Sequence, residues 1–183
     1  RPLVLRRGTF VGERNESHDP HHNHLQFLRH RAGIEMTTSP SIEGSCMCGQ
    51  VKLRVTAPPI MTAACHCTGC QKLSASAFSL TAMIPAEGVE VIGETAIGAL
   101  HNASKYEYCP NCLNWLITPP AGMPFVNVRP TMFNVPAWST PFMETCVSER
   151  LPWARTVAKH SFPKYPAPDQ YGPLMAEYAA QAG

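Results

Sequence analysis

Seven of the chain's eight cysteines fall into three tight groups: Cys46-Met47-Cys48, Cys65-His66-Cys67-Thr68-Gly69-Cys70 and Cys109-Pro110-Asn111-Cys112. No other feature restricts the fold as strongly. Eight cysteines in an exported chain would read as disulfides, with 105 possible connectivities. The start of the sequence lacks the apolar core of an export signal. In a cytoplasmic protein, C-x-C and C-x-x-C groups are more often metal ligands than bridges. Cysteine-ligated zinc in a cytoplasmic protein is the expectation.

Zinc takes thiolate sulfurs at about 2.3 Å in a tetrahedron. In extended backbone, residues i and i+2 point to one side, so C-x-C offers two sulfurs together, and C-x-x-C does the same in a turn. Cys46 and Cys48 are expected at a strand start, with Gly49 as a permissive corner. Cys109 and Cys112 are expected at a strand end, with Pro110 shaping the turn. Together they make four ligands for a closed structural site. The separation of 61 positions between Cys48 and Cys109 is no obstacle, because closure cost grows only logarithmically with loop length.

Cys65, Cys67 and Cys70 then supply three sulfurs with no partner pair left over. Three protein ligands and one open position is the arrangement of catalytic zinc. The chain is therefore expected to hold two zinc ions, one structural and one catalytic. Ligation by His66 or Cys146 would close the second site. His66 is expected to point away from its neighbours in an extended segment, and Cys146 to be a small buried hydrophobe. Other pairings among the seven cysteines stay open.

The rest of the chain reads as short strands. Eighteen prolines over 183 residues disfavour long helices. Residues 51–55, 78–84, 89–92, 105–108, 115–118, 125–128 and 142–147 are β-rich runs punctuated by Gly and Pro. Tyr171–Gln181 alone reads as helical, with Leu174, Met175 and Tyr178 on one face. The fold class is mainly β with few short helices. Residues 1–35, rich in Arg, His and Asn, read as a flexible extension upstream of a natural start at Met36, residues 36–168 as the zinc domain and 169–183 as a helical tail.

Charge excludes some partners. Residues 36–183 carry nine Lys and Arg against nine Asp and Glu, so electrostatic capture of nucleic acid has little support. No apolar stretch approaches the length of a membrane span. The oligomeric state is left open, a homodimer included.

The three groups, in this order, resemble the glutathione-dependent formaldehyde-activating enzyme family, which also contains centromere protein V. The family pattern reads roughly G-S-C-x-C-G-x-V, then C-H-C-x-x-C-x-K-x-S-G-x-x-F, then C-P-x-C-G. The matches are Gly44 through Val51, Cys65 through Phe78, and Cys109 through Cys112, with Arg150-Leu151-Pro152-Trp153 resembling a later basic residue before Pro-Trp. The resemblance implies a β-tent of antiparallel sheets. It also implies a structural zinc on Cys46, Cys48, Cys109 and Cys112, and a catalytic one on Cys65, Cys67 and Cys70. The implied activity is that of a carbon–sulfur lyase joining a thiol such as glutathione to formaldehyde or a related aldehyde. Lys72, Ser74 and Ser76 are the candidate thiol contacts, Lys72 as partner for a carboxylate, although a solvated lysine explains it equally. The alternative function is a non-enzymatic zinc module for protein or nucleic-acid binding.

Two positions depart from the pattern. Leu113 stands where the family usually has Gly, so the turn there is expected to differ, since positive φ strains a leucine. Ala75 replaces a second usual Gly, with a reshaped pocket as the expected consequence.

Overall fold

Alternation builds the first sheet. In the computed structural model, which describes residues 41–98, 104–134 and 136–182, β2 (Lys52–Val55) turns Leu53 and Val55 into the core at 0% and 1% exposure. Lys52 faces solvent, while Arg54 pairs with Glu43 and Glu90 on its neighbours at 3.0 and 2.7 Å. These strands are β1 (Ile42–Ser45) and β5 (Val89–Ile92), antiparallel on either side of β2. The exposed ion pairs add little; burying a leucine contributes about 2 kcal/mol. The extension expected at residues 1–35 lies outside the described residues.

The second sheet has eight strands in the order β11-β10-β3-β4-β9-β8-β7-β6. These are β3 (Met61–Cys65), β4 (Ser79–Pro85), β6 (Ala96–Gly98), β7 (Tyr106–Tyr108), β8 (Trp115–Thr118), β9 (Phe125–Val128), β10 (Met143–Thr145) and β11 (His160–Ser161). The fold is mainly β with two sheets and few short helices, as expected. It is not antiparallel throughout: β10 runs parallel to both β3 and β11. Long connections, Cys65 to Met143 and Thr145 to His160, permit this, because parallel neighbours need a crossover rather than a hairpin.

Two apolar clusters hold the sheets. One gathers Leu53, Val55, Ile84, Leu116 and Val128 around Cys46 and Cys109. The other joins Met61, Phe142 and Met143 to Leu174 of the helix α2 (Tyr171–Ala182). A second helix went unread in the sequence. Thr68–Ser74 forms α1, so the middle cysteine group is a strand end followed by a helix. No helix among the described residues is long and apolar enough to cross a membrane.

Candidate metal centres and the cavity beside them

The outer cysteine pairs occupy two turns. Cys46 and Cys48 sit between β1 and β2, where Gly49 adopts φ +77° and its N–H bonds the Cys46 carbonyl at 2.9 Å. Cys109 and Cys112 sit between β7 and β8, closed by Leu113 N–H on the Cys109 carbonyl at 2.9 Å. Asn114 ties the turns together, accepting from Met47 N–H at 2.8 Å on its side chain and from Cys109 N–H at 3.0 Å on its carbonyl. All four sulfurs lie within 4.8 Å of one another, with Cys46 to Cys48 at 3.4 Å and Cys48 to Cys109 at 3.6 Å. Ligands at about 2.3 Å from a tetrahedral zinc stand about 3.8 Å apart. The set fits a four-thiolate ion.

Gly44 explains its own place in the pattern. A Cβ there would stand 2.5 Å from the Met132 carbonyl oxygen, where β1 meets Phe133.

The middle group is built differently. β3 ends at Cys65, and Cys67 caps α1, its sulfur accepting from Cys70 N–H at 3.3 Å. The three sulfurs of Cys65, Cys67 and Cys70 again lie within 4.8 Å of one another. A hydrogen bond from the Cys70 thiol draws Cys65 down to about 5, and the same contact, with burial, drives Cys70 far up. Three thiolates so close do not ionise together unless a cation offsets them. The donor set fits a thiophilic divalent ion with three protein ligands.

A buried carboxylate anchors this loop. Glu144 on β10, 4% exposed, takes hydrogen bonds from Arg150 at 2.8 Å, Ser161 at 2.7 Å, Thr156 at 2.9 Å and His66 Nε2 at 3.0 Å. Burial opposes its ionisation, yet the Ser161, Thr156 and His66 hydrogen bonds and the Arg150 charge outweigh that and hold it below its ordinary 4.5. His66 is fully buried on this network. Glu149 accepts from Thr68 N–H at 2.8 Å and its hydroxyl at 2.6 Å, fixing the start of α1. Cys146 is buried, as expected, and burial, with the nearby Cys65, pushes its thiol up to about 11. Its sulfur is not among the three that lie mutually close.

A cavity of about 500 Å³ opens beside Cys65 and Cys70. Arg129 lies in its wall, 6% exposed, its guanidinium 3.9 Å from the Trp115 ring centroid and donating to the Leu80 carbonyl at 3.0 Å. Its Nε has no partner and, among the described residues, no carboxylate pairs with it. Burial lowers it to about 10, against the pull of Cys70 and Cys65. A larger groove of about 820 Å³ elsewhere has no cysteine in its wall.

Of the candidate thiol contacts, Lys72 and Ser76 are exposed, and the Ser74 hydroxyl donates to the carbonyls of Cys70 and Phe78 at 2.7 and 3.2 Å. The structure places none of the three in the cavity wall. Arg129, Trp115, Glu144 and Tyr165 went unread because no spacing marks them. The available signals were an acid inside the apolar run 142–147 and an arginine directly after Phe125–Val128.

A model of the glutathione-dependent formaldehyde-activating enzyme family matches residues 41–149. The chain belongs to this family. A search of curated proteins finds no match. Among solved structures, a crystal structure of a Rhodobacter sphaeroides protein is similar at 16% identity and TM-score 0.44, over 52% of this chain and 90% of that one.

Within the family's pattern, the two departures resolve in one way. Leu113 holds φ +59°, the left-handed region that favours Gly, and Ala75 holds φ +47° at the end of α1. Each costs about 1 kcal/mol in a left-handed conformation, offset by the packed turns around them. Arg150, the basic residue before Pro-Trp, is the partner of Glu144.

Proposed function

We propose that the chain is a zinc-dependent carbon–sulfur lyase-type enzyme, adding a thiol such as glutathione to formaldehyde or a related aldehyde, or cleaving such adducts. One observation carries the reading: three cysteine sulfurs converge, two of these cysteines in a cavity wall, in a group distinct from the four-sulfur set. Cys65, Cys67 and Cys70 would hold the zinc, which when bound would lower the pKa of an incoming thiol.

The chemistry balances without an oxidant. The sulfur forms a bond to the aldehyde carbon, the carbonyl π pair moves to oxygen, and the proton that left sulfur ends on that oxygen. The reverse breaks the C–S bond. Cys65 is held by β3 and β10, where Thr145 lies opposite it. Cys67 and Cys70 are held by α1, which Glu149 and the Gln71 amide, bonded to the His66 carbonyl at 2.6 Å, pin to the sheet. Arg129 is the buried cation facing this sulfur-rich group. A buried charge without a counter-charge costs several kcal/mol, and the cysteine set is the counter-charge that its surroundings offer.

The addition proceeds without a catalyst, so the test is kinetic. Exchange of formaldehyde with glutathione and with uncharged thiols, followed by NMR, should accelerate at least tenfold over background and return to background in Cys67→Ser. No acceleration with any thiol refutes the reading.

A further inference from the structure

The strand that ends in Cys65 also lays the floor of the cavity. Met61, Ala63 and Cys65 share one face of β3, because alternate residues do. Their partners across β4 are Met83, Thr81 and Ser79, and all six line the cavity. The floor therefore runs from sulfur and hydroxyl at Cys65 and Ser79 to thioethers at Met61 and Met83, over about 13 Å at about 3.3 Å per residue. β10 continues the gradient, with Thr145 opposite Cys65 and Met143 opposite Ala63. Met175 of α2 also lines the cavity, and the same helix packs against Met61 and Met143 through Leu174.

The volume of about 500 Å³ matches about sixteen waters, far beyond what a one-carbon aldehyde fills. Unbranched thioethers adapt to irregular apolar shapes. Among the described lining residues, Arg129 is the sole Lys, Arg, His, Asp or Glu. A tripeptide thiol with two carboxylates and an ammonium would leave charges unpaired there.

We infer that the thiol this site uses carries a bulky apolar substituent, its sulfur at the Cys65 end and its tail between Met61, Met83 and Met175. This rests on the carbon–sulfur reading above. The sulfur head meets the polar end of the floor, and the aldehyde needs only to reach that end.

The full zinc-loaded chain is titrated calorimetrically with 2-phenylethanethiol and with glutathione. The apolar thiol should bind at least tenfold tighter, and Met175→Glu, at a partly exposed helix position, should weaken it at least tenfold with zinc content unchanged. Equal or tighter binding of glutathione, or no effect of Met175→Glu, overturns the inference. 2-Phenylethanol, which has no sulfur, reads the cavity apart from the metal. Saturable binding lost in Met175→Glu supports the apolar site, even if thiol exchange shows no acceleration and the carbon–sulfur reading falls. Absence of saturable binding overturns the apolar site, even if glutathione exchange is accelerated.

Discussion

The two cysteine sites use the same atoms and differ in what surrounds them. Cys46 and Cys109 are part of the apolar core, and their pairs sit in two turns that Asn114 ties together. The Cys65–Cys70 group ends a strand and starts a helix, is braced by the buried Glu144, and borders a cavity. A site made of turns joins strands; a site at a strand-to-helix junction leaves one side free. On the proposed reading, that contrast is the one between a site that stabilises and a site that reacts.

The largest effect should separate the sites directly. Cys109→Ser is expected to cost more than about 4 kcal/mol, since a structural zinc contributes folding energy outright, whereas Cys67→Ser should cost less than about 2 kcal/mol. Urea unfolding checks both, and equal losses would erase the contrast.

The brace of the second site comes next. Glu144→Gln leaves its buried partners short of a charge and should cost about 3 kcal/mol. Because the fold holds this carboxyl below its ordinary 4.5, its contribution is full above pH 4.5 and disappears as pH falls through the lower folded value. The wild-type and variant stabilities should therefore converge below pH 4.5. A gap that persists there would show that packing, not charge, is lost.

Arg129→Met sharpens the comparison more gently. Zinc release to a chelator should quicken about tenfold from the three-cysteine site and stay unchanged at the four-cysteine site, with Arg129→Lys restoring part of the difference. Equal release from both sites would remove the counter-charge role.

The smallest effect runs the other way. Leu113→Gly relieves a left-handed leucine and should add about 1 kcal/mol, read as a rise in thermal midpoint; a fall would mean that the exposed leucine packs in a way its position does not suggest.

The cysteine groups were legible because zinc ligation is written in local spacing, and strands such as Val89–Ile92 and Trp115–Thr118 because their runs are bounded by turn residues. β3 was not legible. Its residues are buried on both faces except at Cys65, so no alternation shows, and Ala63 and Ala64 carry little β signal. Helix α1 is seven residues long and capped by a cysteine rather than Ser, Thr, Asp or Asn. Glu144 and Arg129 act through partners 78 and 49 positions away, and nothing local predicts such pairing.

Anomalous diffraction at the zinc edge on the full chain tests the central claim most directly. The account predicts two ions, one bound by Cys46, Cys48, Cys109 and Cys112, the other by Cys65, Cys67 and Cys70 with a non-protein atom completing its shell. A single ion, or a fourth protein ligand on the second, would contradict it.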